Sequence, residues 1–141
     1  MSYVVDACVV INWLFAPVDS GEYVAAEAFL DGHADLVAPP VLLPEVLGRI
    51  AGLSNASGPE RISAETAAEA ADLFVSLGIE LQNHPFTYAA VPRLLALGAN
   101  LGMADATYVL LGEALGVPVI TQDDRMIRAA TKVTRHEVRR P

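Results

Sequence analysis

Short apolar runs alternate along the chain with longer amphipathic segments. The apolar runs predict five β-strands, at residues 3–5, 36–38, 79–81, 117–121 and 133–136. The segments between and after them predict helices over residues 7–15, 21–30, 41–53, 64–77, 86–97, 104–115 and 123–130. Strands that are apolar throughout are typical of parallel sheets buried on both faces. The pattern therefore predicts an α/β fold with a parallel sheet flanked by helices.

Local residues mark several of the helix boundaries. Ser20 and Ser63 stand where N-caps are expected, and Gly116 follows the helix over residues 104–115. Pro92 is expected to kink the helix over residues 86–97.

Length and composition indicate one globular domain. The chain has 141 residues, of which 53% are hydrophobic and 18% charged, so a disordered chain is excluded. We expect a single domain over residues 1–138 and a short basic tail over residues 139–141. No run of eighteen apolar residues is present, so neither a membrane span nor a secretory signal is expected, and a cytoplasmic location is the default. The single cysteine, Cys8, excludes an internal disulfide and a thiolate zinc site.

Charge is distributed unevenly along the chain. Residues 1–124 carry a net charge of −13, whereas residues 125–141 carry +5, within a total of −8. An acidic surface repels phosphate, but the basic end can meet phosphate or an acidic partner. A solvated basic face is the simpler interpretation of that segment. Arg125 and Arg128 are candidates for contacts with RNA phosphates, and helix solubility is the alternative.

Four acidic residues occupy positions from which they can share one cleft. Asp6 follows the first strand directly, and Asp123 follows the run at residues 117–121. Ligands of open parallel sheets bind outside the carboxyl ends of the strands. Asp105 opens a helix, on the face that carries Tyr108, and Glu45 lies in the first turn of another helix.

Each acid also has an ordinary structural explanation. The three aspartates could be N-caps, which contribute about 1 kcal/mol each. Glu45 could pair with Arg49 one turn later, for about 0.3 kcal/mol. If the acids do converge, like charges at about 4 Å cost roughly 4 kcal/mol each, so the cluster would have raised pKa values or hold a cation. Ligands that are all oxygen favour Mg²⁺ or Mn²⁺.

The order of these motifs resembles that of a PIN-domain protein, specifically a VapC-type toxin ribonuclease. The resemblance rests on VVDACVVINWL at residues 4–14, PPVLLPEVLGRI at 39–50 and LGMADATYVLLGEALGVPVITQDDRMIRAA at 101–130. It implies a five-stranded parallel sheet, RNA cleavage that depends on Mg²⁺ or Mn²⁺, a homodimer, and inhibition by a cognate antitoxin. The positions that match the family's catalytic and metal-binding acids are Asp6, Glu45, Asp105 and Asp123, with the metal assigned to the three aspartates.

Other positions match or depart from the family pattern. Thr121 matches a hydroxyl residue near the site, where it would orient an acid or a water. Asn12 stands where a polar residue could support the metal or merely face solvent. The family usually has Ser or Thr shortly after the first acid, whereas this chain has Cys8, which is interpreted as a small buried hydrophobic residue. Asp124 is a further acid, and its interpretation as a complement to the helix dipole is favoured.

Other functions are open at this level. A receiver-like domain that accepts a phosphoryl group shares the parallel sheet, but it needs an Asp after the third strand, which is absent here. A haloacid-dehalogenase-type phosphatase needs a second acid two residues after Asp6, where Cys8 stands. A catalytically silent PIN scaffold that binds RNA or protein is a third possibility. The leading hypothesis is a metal-dependent endoribonuclease in which a metal-activated water attacks phosphorus.

Overall fold

A computed structural model describes all residues, 1–141, and shows one five-stranded parallel sheet. The strands are β1 (Tyr3–Val5), β2 (Leu36–Ala38), β3 (Glu80–Leu81), β4 (Val119–Ile120) and β5 (Val138–Arg139). Their order in the sheet is β3-β2-β1-β4-β5, and every neighbouring pair is parallel. The α/β fold predicted from the hydrophobic pattern is confirmed.

Seven α-helices cover the sheet. They are α1 (Ala7–Phe15), α2 (Gly21–Gly32), α3 (Leu42–Ser54), α4 (Ala64–Ser76), α5 (Val91–Leu97), α6 (Met103–Leu115) and α7 (Asp124–Ala130). The predicted N-caps are confirmed, because the hydroxyls of Ser20 and Ser63 accept hydrogen bonds from backbone amides three residues later. None of the helices is long and apolar enough to cross a bilayer.

The central strands β1, β2 and β4 are apolar because both faces of the sheet are buried there. Val4 belongs to the larger core cluster, which includes residues of α3, α4, α6 and α7. Val5, the next residue, belongs to a second cluster that includes Phe29 and Leu30 of α2. Side chains of a strand alternate between its faces, so a three-residue strand can serve both layers only if every residue is apolar.

The strand order places a crevice between β1 and β4. From β1 the chain proceeds to β2 and β3 on one side of the sheet, then crosses back to β4 on the other side of β1. Such a change of direction leaves a crevice at the carboxyl ends of the two central strands, and it is where open α/β sheets bind ligands. Asp6 and Thr121 are the residues that follow β1 and β4.

The end of the chain differs from the prediction. Residues 133–136 form no strand, because the backbone continues in helical turns after α7, with the amides of Val133 and Thr134 bonded to the Ala130 carbonyl. The fifth strand is instead Val138–Arg139. Arg139, which the sequence placed in a basic tail, is therefore part of the sheet.

Two helices also begin at other positions than predicted. The segment over residues 86–97 is a 3₁₀ turn (Tyr88–Ala90) followed by α5, and Pro92 lies in the first turn of α5 rather than kinking a longer helix. Helix α6 begins at Met103, with Gly102 as its N-cap. Asp105 is therefore in the first turn of α6 and does not cap it.

Candidate active site

Asp6 is buried at the carboxyl end of β1 and is held by hydroxyl and thiol donors. Its side chain is 5% exposed, although it carries a carboxylate. The Thr121 hydroxyl donates to Asp6 Oδ2 at 2.7 Å, and the Cys8 thiol donates to the same oxygen at 2.9 Å. Burial raises the pKa of Asp6, and these two hydrogen bonds oppose that rise because they stabilise the charged form. Neither side-chain donor uses Oδ1.

Cys8 therefore has a polar role that the sequence interpretation missed. Its sulfur donates to Asp6 and also accepts a hydrogen bond from the backbone amide of Gln122, at 3.1 Å. Burial, followed by the charge of Asp6, raises the pKa of the thiol, so it stays protonated and able to donate. The thiol takes the place of the hydroxyl that the resemblance led us to expect at this point of the chain.

We expect Cys8→Ser and Cys8→Val to differ in stability. Serine keeps a donor for Asp6, whereas valine leaves a buried carboxylate oxygen with one partner fewer, which costs about 1 kcal/mol or more. Urea denaturation of both variants beside the wild type measures this difference. Equal unfolding free energies for the two variants would show that the thiol acts only by filling space.

Asp123 caps α7 with one oxygen. Its Oδ1 accepts from the backbone amides of Arg125 and Met126, at 2.8 and 3.3 Å, so the N-cap interpretation is correct for this residue. Its own amide donates to the Thr121 hydroxyl at 3.1 Å, which connects Asp123 to Asp6 through one side chain. The second carboxylate oxygen, Oδ2, accepts no hydrogen bond from the protein and is free to bind a ligand.

Glu45 is fixed by a tyrosine and not by the arginine that the sequence suggested. The hydroxyl of Tyr108, a side chain with no exposed surface, donates to Glu45 Oε1 at 2.7 Å. No ion pair forms between Glu45 and Arg49. Burial raises the pKa of Glu45, the Tyr108 hydrogen bond opposes the rise, and the charge of Asp6 adds to it. The sequence placed Tyr108 on the same helix face as Asp105, but nothing in it indicated the hydrogen bond with Glu45.

Asp105 shows that the four carboxylates share one region. Its pKa is raised to about 6, first by burial and then by the negative charges of three neighbours, namely Asp6, Asp123 and Glu45. The positive charge of Arg125 opposes this rise. Asp105 and Asp123 line a pocket of about 250 Å³ together with Arg125. The four carboxylates are thus near enough for the charges of the other three to act on Asp105.

The remaining candidates lie beside this cluster and do not enter it. Asn12 donates to the side chain of Gln122 at 2.9 Å and has no hydrogen bond with an acid. Asp124 forms a two-pronged ion pair with Arg140, with both contacts at 2.8 Å, and this pair lowers the pKa of Asp124. Arg128 does not line the pocket that holds Arg125, and its charge acts on Asp124.

The chemistry of the donor set fits a hard divalent cation. The four side chains offer only oxygen, and the protein's own hydrogen bonds to Asp6, Glu45 and Asp123 leave one oxygen of each carboxylate without a side-chain partner. Their mutual repulsion is what a cation would relieve. As the side chains stand, no three of them are close enough together to hold a metal ion.

The sequence profile of the PIN domain family matches residues 3–132. The chain belongs to the PIN domain family. Among solved structures, this PIN domain is similar to PAE2754 from Pyrobaculum aerophilum, with a TM-score of 0.68 and 16% identity over 99% of this chain and 83% of that chain. At this identity the likeness shows the fold alone. No curated protein matches the sequence at a significant level.

Family membership supports a nuclease fold. PIN domains are usually nucleases and generally use divalent metals, so the family and the cluster of carboxylates agree in general terms. The strand order and the positions of the acids at the carboxyl edge of the sheet are the structural basis of that agreement.

Proposed function

We propose that this PIN domain is a metal-dependent endoribonuclease of the VapC toxin type that hydrolyses RNA phosphodiester bonds. The observation that carries the proposal is the convergence of negative charge on Asp105, at the edge where β1 and β4 end. Carboxylates held close together, one of them buried and three half-buried, destabilise the fold when no cation is bound, which favours a role in binding a ligand of opposite charge. The resemblance of the motifs to VapC-type ribonucleases, and family membership, supply the reaction class.

Each side chain has a distinct task in this proposal. Asp6, Asp105 and Asp123 would hold Mg²⁺ or Mn²⁺. When bound, such an ion supplies a water of lowered pKa as nucleophile and neutralises charge on the phosphate. Thr121 orients Asp6, and Tyr108 orients Glu45, through the hydrogen bonds that their hydroxyls donate. Hydrolysis of the bond between phosphorus and the ribose 3′ oxygen would consume one water, whose oxygen would go to phosphorus and one of whose protons would go to the 3′ oxygen, leaving a 5′-phosphate and a 3′-hydroxyl.

Arg125 offers a positive charge to RNA on a protein whose net charge is −8. It lines the pocket that contains Asp105 and Asp123, so a cation stands beside the carboxylates at the place where a phosphate would enter. Its positive charge already acts on Asp105. In this arrangement Arg125 positions the phosphate, as arginine does in many protein–RNA contacts.

The toxin role includes two protein partners, a cognate antitoxin and a second copy of the chain. An apolar pocket of about 200 Å³ lies between α3 and α4, and its lining includes Leu43, Val75 and Leu81, all of them exposed. It supports the proposal that an apolar antitoxin segment binds here.

Cleavage of RNA by matched variants tests the proposed reaction. We expect Asp6→Asn and Asp105→Asn to reduce the rate at least about 100-fold in Mg²⁺ or Mn²⁺, because each removes a charge from the cluster and leaves its shape. Asp124→Asn is the control, since Asp124 is bound to Arg140 outside the cluster. The measurement is the initial rate on total RNA and on a labelled oligonucleotide, with end groups determined.

Two results would contradict the proposal. Equal rates for the wild type and both cluster variants would show that the activity does not come from these carboxylates. No cleavage by the wild type with either metal, on RNA to which it binds, would favour a silent PIN scaffold.

A further inference from the structure

A second, larger pocket lies at the opposite end of the helices that border the acidic cleft. Its volume is about 710 Å³, and only one of its eight lining residues is hydrophobic. The lining residues are Arg93, Glu113, Thr131, Lys132, Val133, Thr134, Arg135 and His136. Several of them precede β5, so the pocket is at the amino edge of the sheet. We call it the basic pocket.

The only acid of the basic pocket is already neutralised. Arg93 donates to both carboxylate oxygens of Glu113, and a second Arg93 nitrogen also reaches the Val133 carbonyl at 3.3 Å. The Thr134 hydroxyl donates to Glu113 at 2.7 Å. These contacts join α5, α6 and the segment after α7 into one wall. The negative charge of Glu113 is therefore balanced by the positive charge of Arg93.

Two cations of the basic pocket are free. Lys132 and Arg135 are exposed, and neither forms an ion pair with any carboxylate of the protein. The first 124 residues of the chain carry a net charge of −13. The two unpaired cations therefore form a local positive region on a protein that is otherwise acidic. A wall of this kind attracts a polyanion.

The basic pocket and the acidic cleft lie at opposite ends of the same set of helices. Both are bordered by α5 or the loop that follows it, and by α7 or the turns that follow it. Arg125 lines the pocket at the acidic end, and Lys132 lines the basic pocket. Because the backbone stays helical to residue 133, residues seven apart face the same way, about 10 Å from each other along the axis. Lys132 is thus a second cation on the side of this segment that carries Arg125, and it lies farther from the carboxylates.

We propose that the basic pocket binds backbone phosphates of the RNA strand whose scissile bond lies at the acidic cleft. The proposal rests on the proposed function, which identifies the bound strand as the RNA that is cleaved. In it, Lys132 and Arg135 contact phosphates several nucleotides from the cleavage point, and Arg125 contacts phosphate next to it. The contacts carry no sequence information, so they add affinity and fix the direction of the strand.

Binding of labelled RNA in EDTA tests the proposal without any cleavage. The double variant Lys132→Ala/Arg135→Ala should bind a single-stranded 12-mer about tenfold more weakly than the wild type, by fluorescence anisotropy. The slope of log affinity against log salt should fall by about 1.4, the value for two phosphate contacts on a single strand. Arg61→Ala, which removes an exposed arginine on a loop before α4, should change neither quantity. Thermal melting confirms that each variant is folded.

Substrate length and competition separate the outcomes. A dinucleotide cannot extend from the cleft to the basic pocket, so the double variant should bind it as the wild type does. An unchanged affinity and salt slope for the 12-mer would overturn the proposal, as would an equal loss for the dinucleotide. Inorganic phosphate that displaces the 12-mer at low millimolar concentration, with ionic strength matched by chloride, would assign the pocket to free phosphate and overturn the strand assignment.

The test is independent of the test for nuclease activity. If the wild type cleaves RNA and the double variant binds the 12-mer normally, the basic pocket has no role and the nuclease proposal stands. If the wild type cleaves nothing and the double variant loses binding, the basic pocket stands and the nuclease proposal fails.

Discussion

Asp105→Asn should increase the free energy of unfolding at pH 7 by about 1–2 kcal/mol while it removes cleavage. Asp105 carries a pKa of about 6 against an ordinary value of 3.8, so the folded protein disfavours its charge. A shift of this size corresponds to about 3 kcal/mol for a fully buried group, and solvent screening of this half-buried side chain reduces it. The melting temperature should rise by about 3–6 °C.

The gain from Asp105→Asn should depend on pH in a defined direction. Well below the ordinary pKa of 3.8 the carboxyl is protonated in the folded and the unfolded wild type, so its charge costs nothing. Between pH 4 and 6 the folded protein keeps the proton that the unfolded chain has released, so the wild type loses stability as pH rises. The difference between variant and wild type should thus be small at pH 4 and complete at pH 7.

Differential scanning fluorimetry over this pH range, in EDTA, measures the effect. Millimolar Mg²⁺ at pH 7 should then stabilise the wild type more than the variant, because the variant has lost one of the expected ligands. A variant that is less stable than the wild type at pH 7 would show that Asp105 makes a favourable contact, and the proposed cluster would lose its main support.

Gly112→Val should lower the free energy of unfolding by about 3 kcal/mol. A β-carbon at Gly112 would stand 2.5 Å from Val119 Cγ2 and 2.9 Å from His136 Nε2, so α6 and the sheet would have to separate. The His136 ring is held at 2.6 Å from the Val117 carbonyl and cannot move away freely. Since α6 also carries Asp105 and Tyr108, its displacement should reduce cleavage as well.

Gly48→Val is the matched control for this prediction. Gly48 is also in a helix, α3, but nothing lies within 4 Å of a β-carbon built there. Valine and glycine differ little in helix propensity, so the change should be within about 0.5 kcal/mol. Urea denaturation of both variants gives the comparison. Similar losses at the two positions would mean that intrinsic propensity, and not close packing of α6 on β4, determines the cost.

The hydrophobic pattern was sufficient for the sheet and most helices because burial imposes it on every residue of the central strands. Val4 and Val5 belong to different core layers, and the chain must therefore be apolar at both positions. The pattern failed for the last strand because Val138–Arg139 has one apolar residue and gives no periodicity. Val133, the apolar residue that suggested a strand, packs against the core from a helical turn.

The candidate site was predictable to the extent that it depends on topology. Residues that follow parallel strands lie at one edge of the sheet, which is why Asp6 and Asp123 could be paired from their positions. The partners of these acids depend on packing between distant segments. The hydrogen bond of Tyr108 with Glu45 joins residues 63 apart, and the Cys8 thiol becomes a donor to Asp6 only in the folded chain.

Gln122 connects the site to two helices. Its side-chain oxygen accepts from Asn12 of α1, its side-chain nitrogen donates to the Glu22 carbonyl of α2, and it stands between Thr121 and Asp123. The backbone at Gln122, which positions Thr121 and Asp123, therefore cannot rotate without breaking the two hydrogen bonds to α1 and α2. A displacement of α2 relative to the sheet would therefore strain the segment between Thr121 and Asp123 through this one amide group.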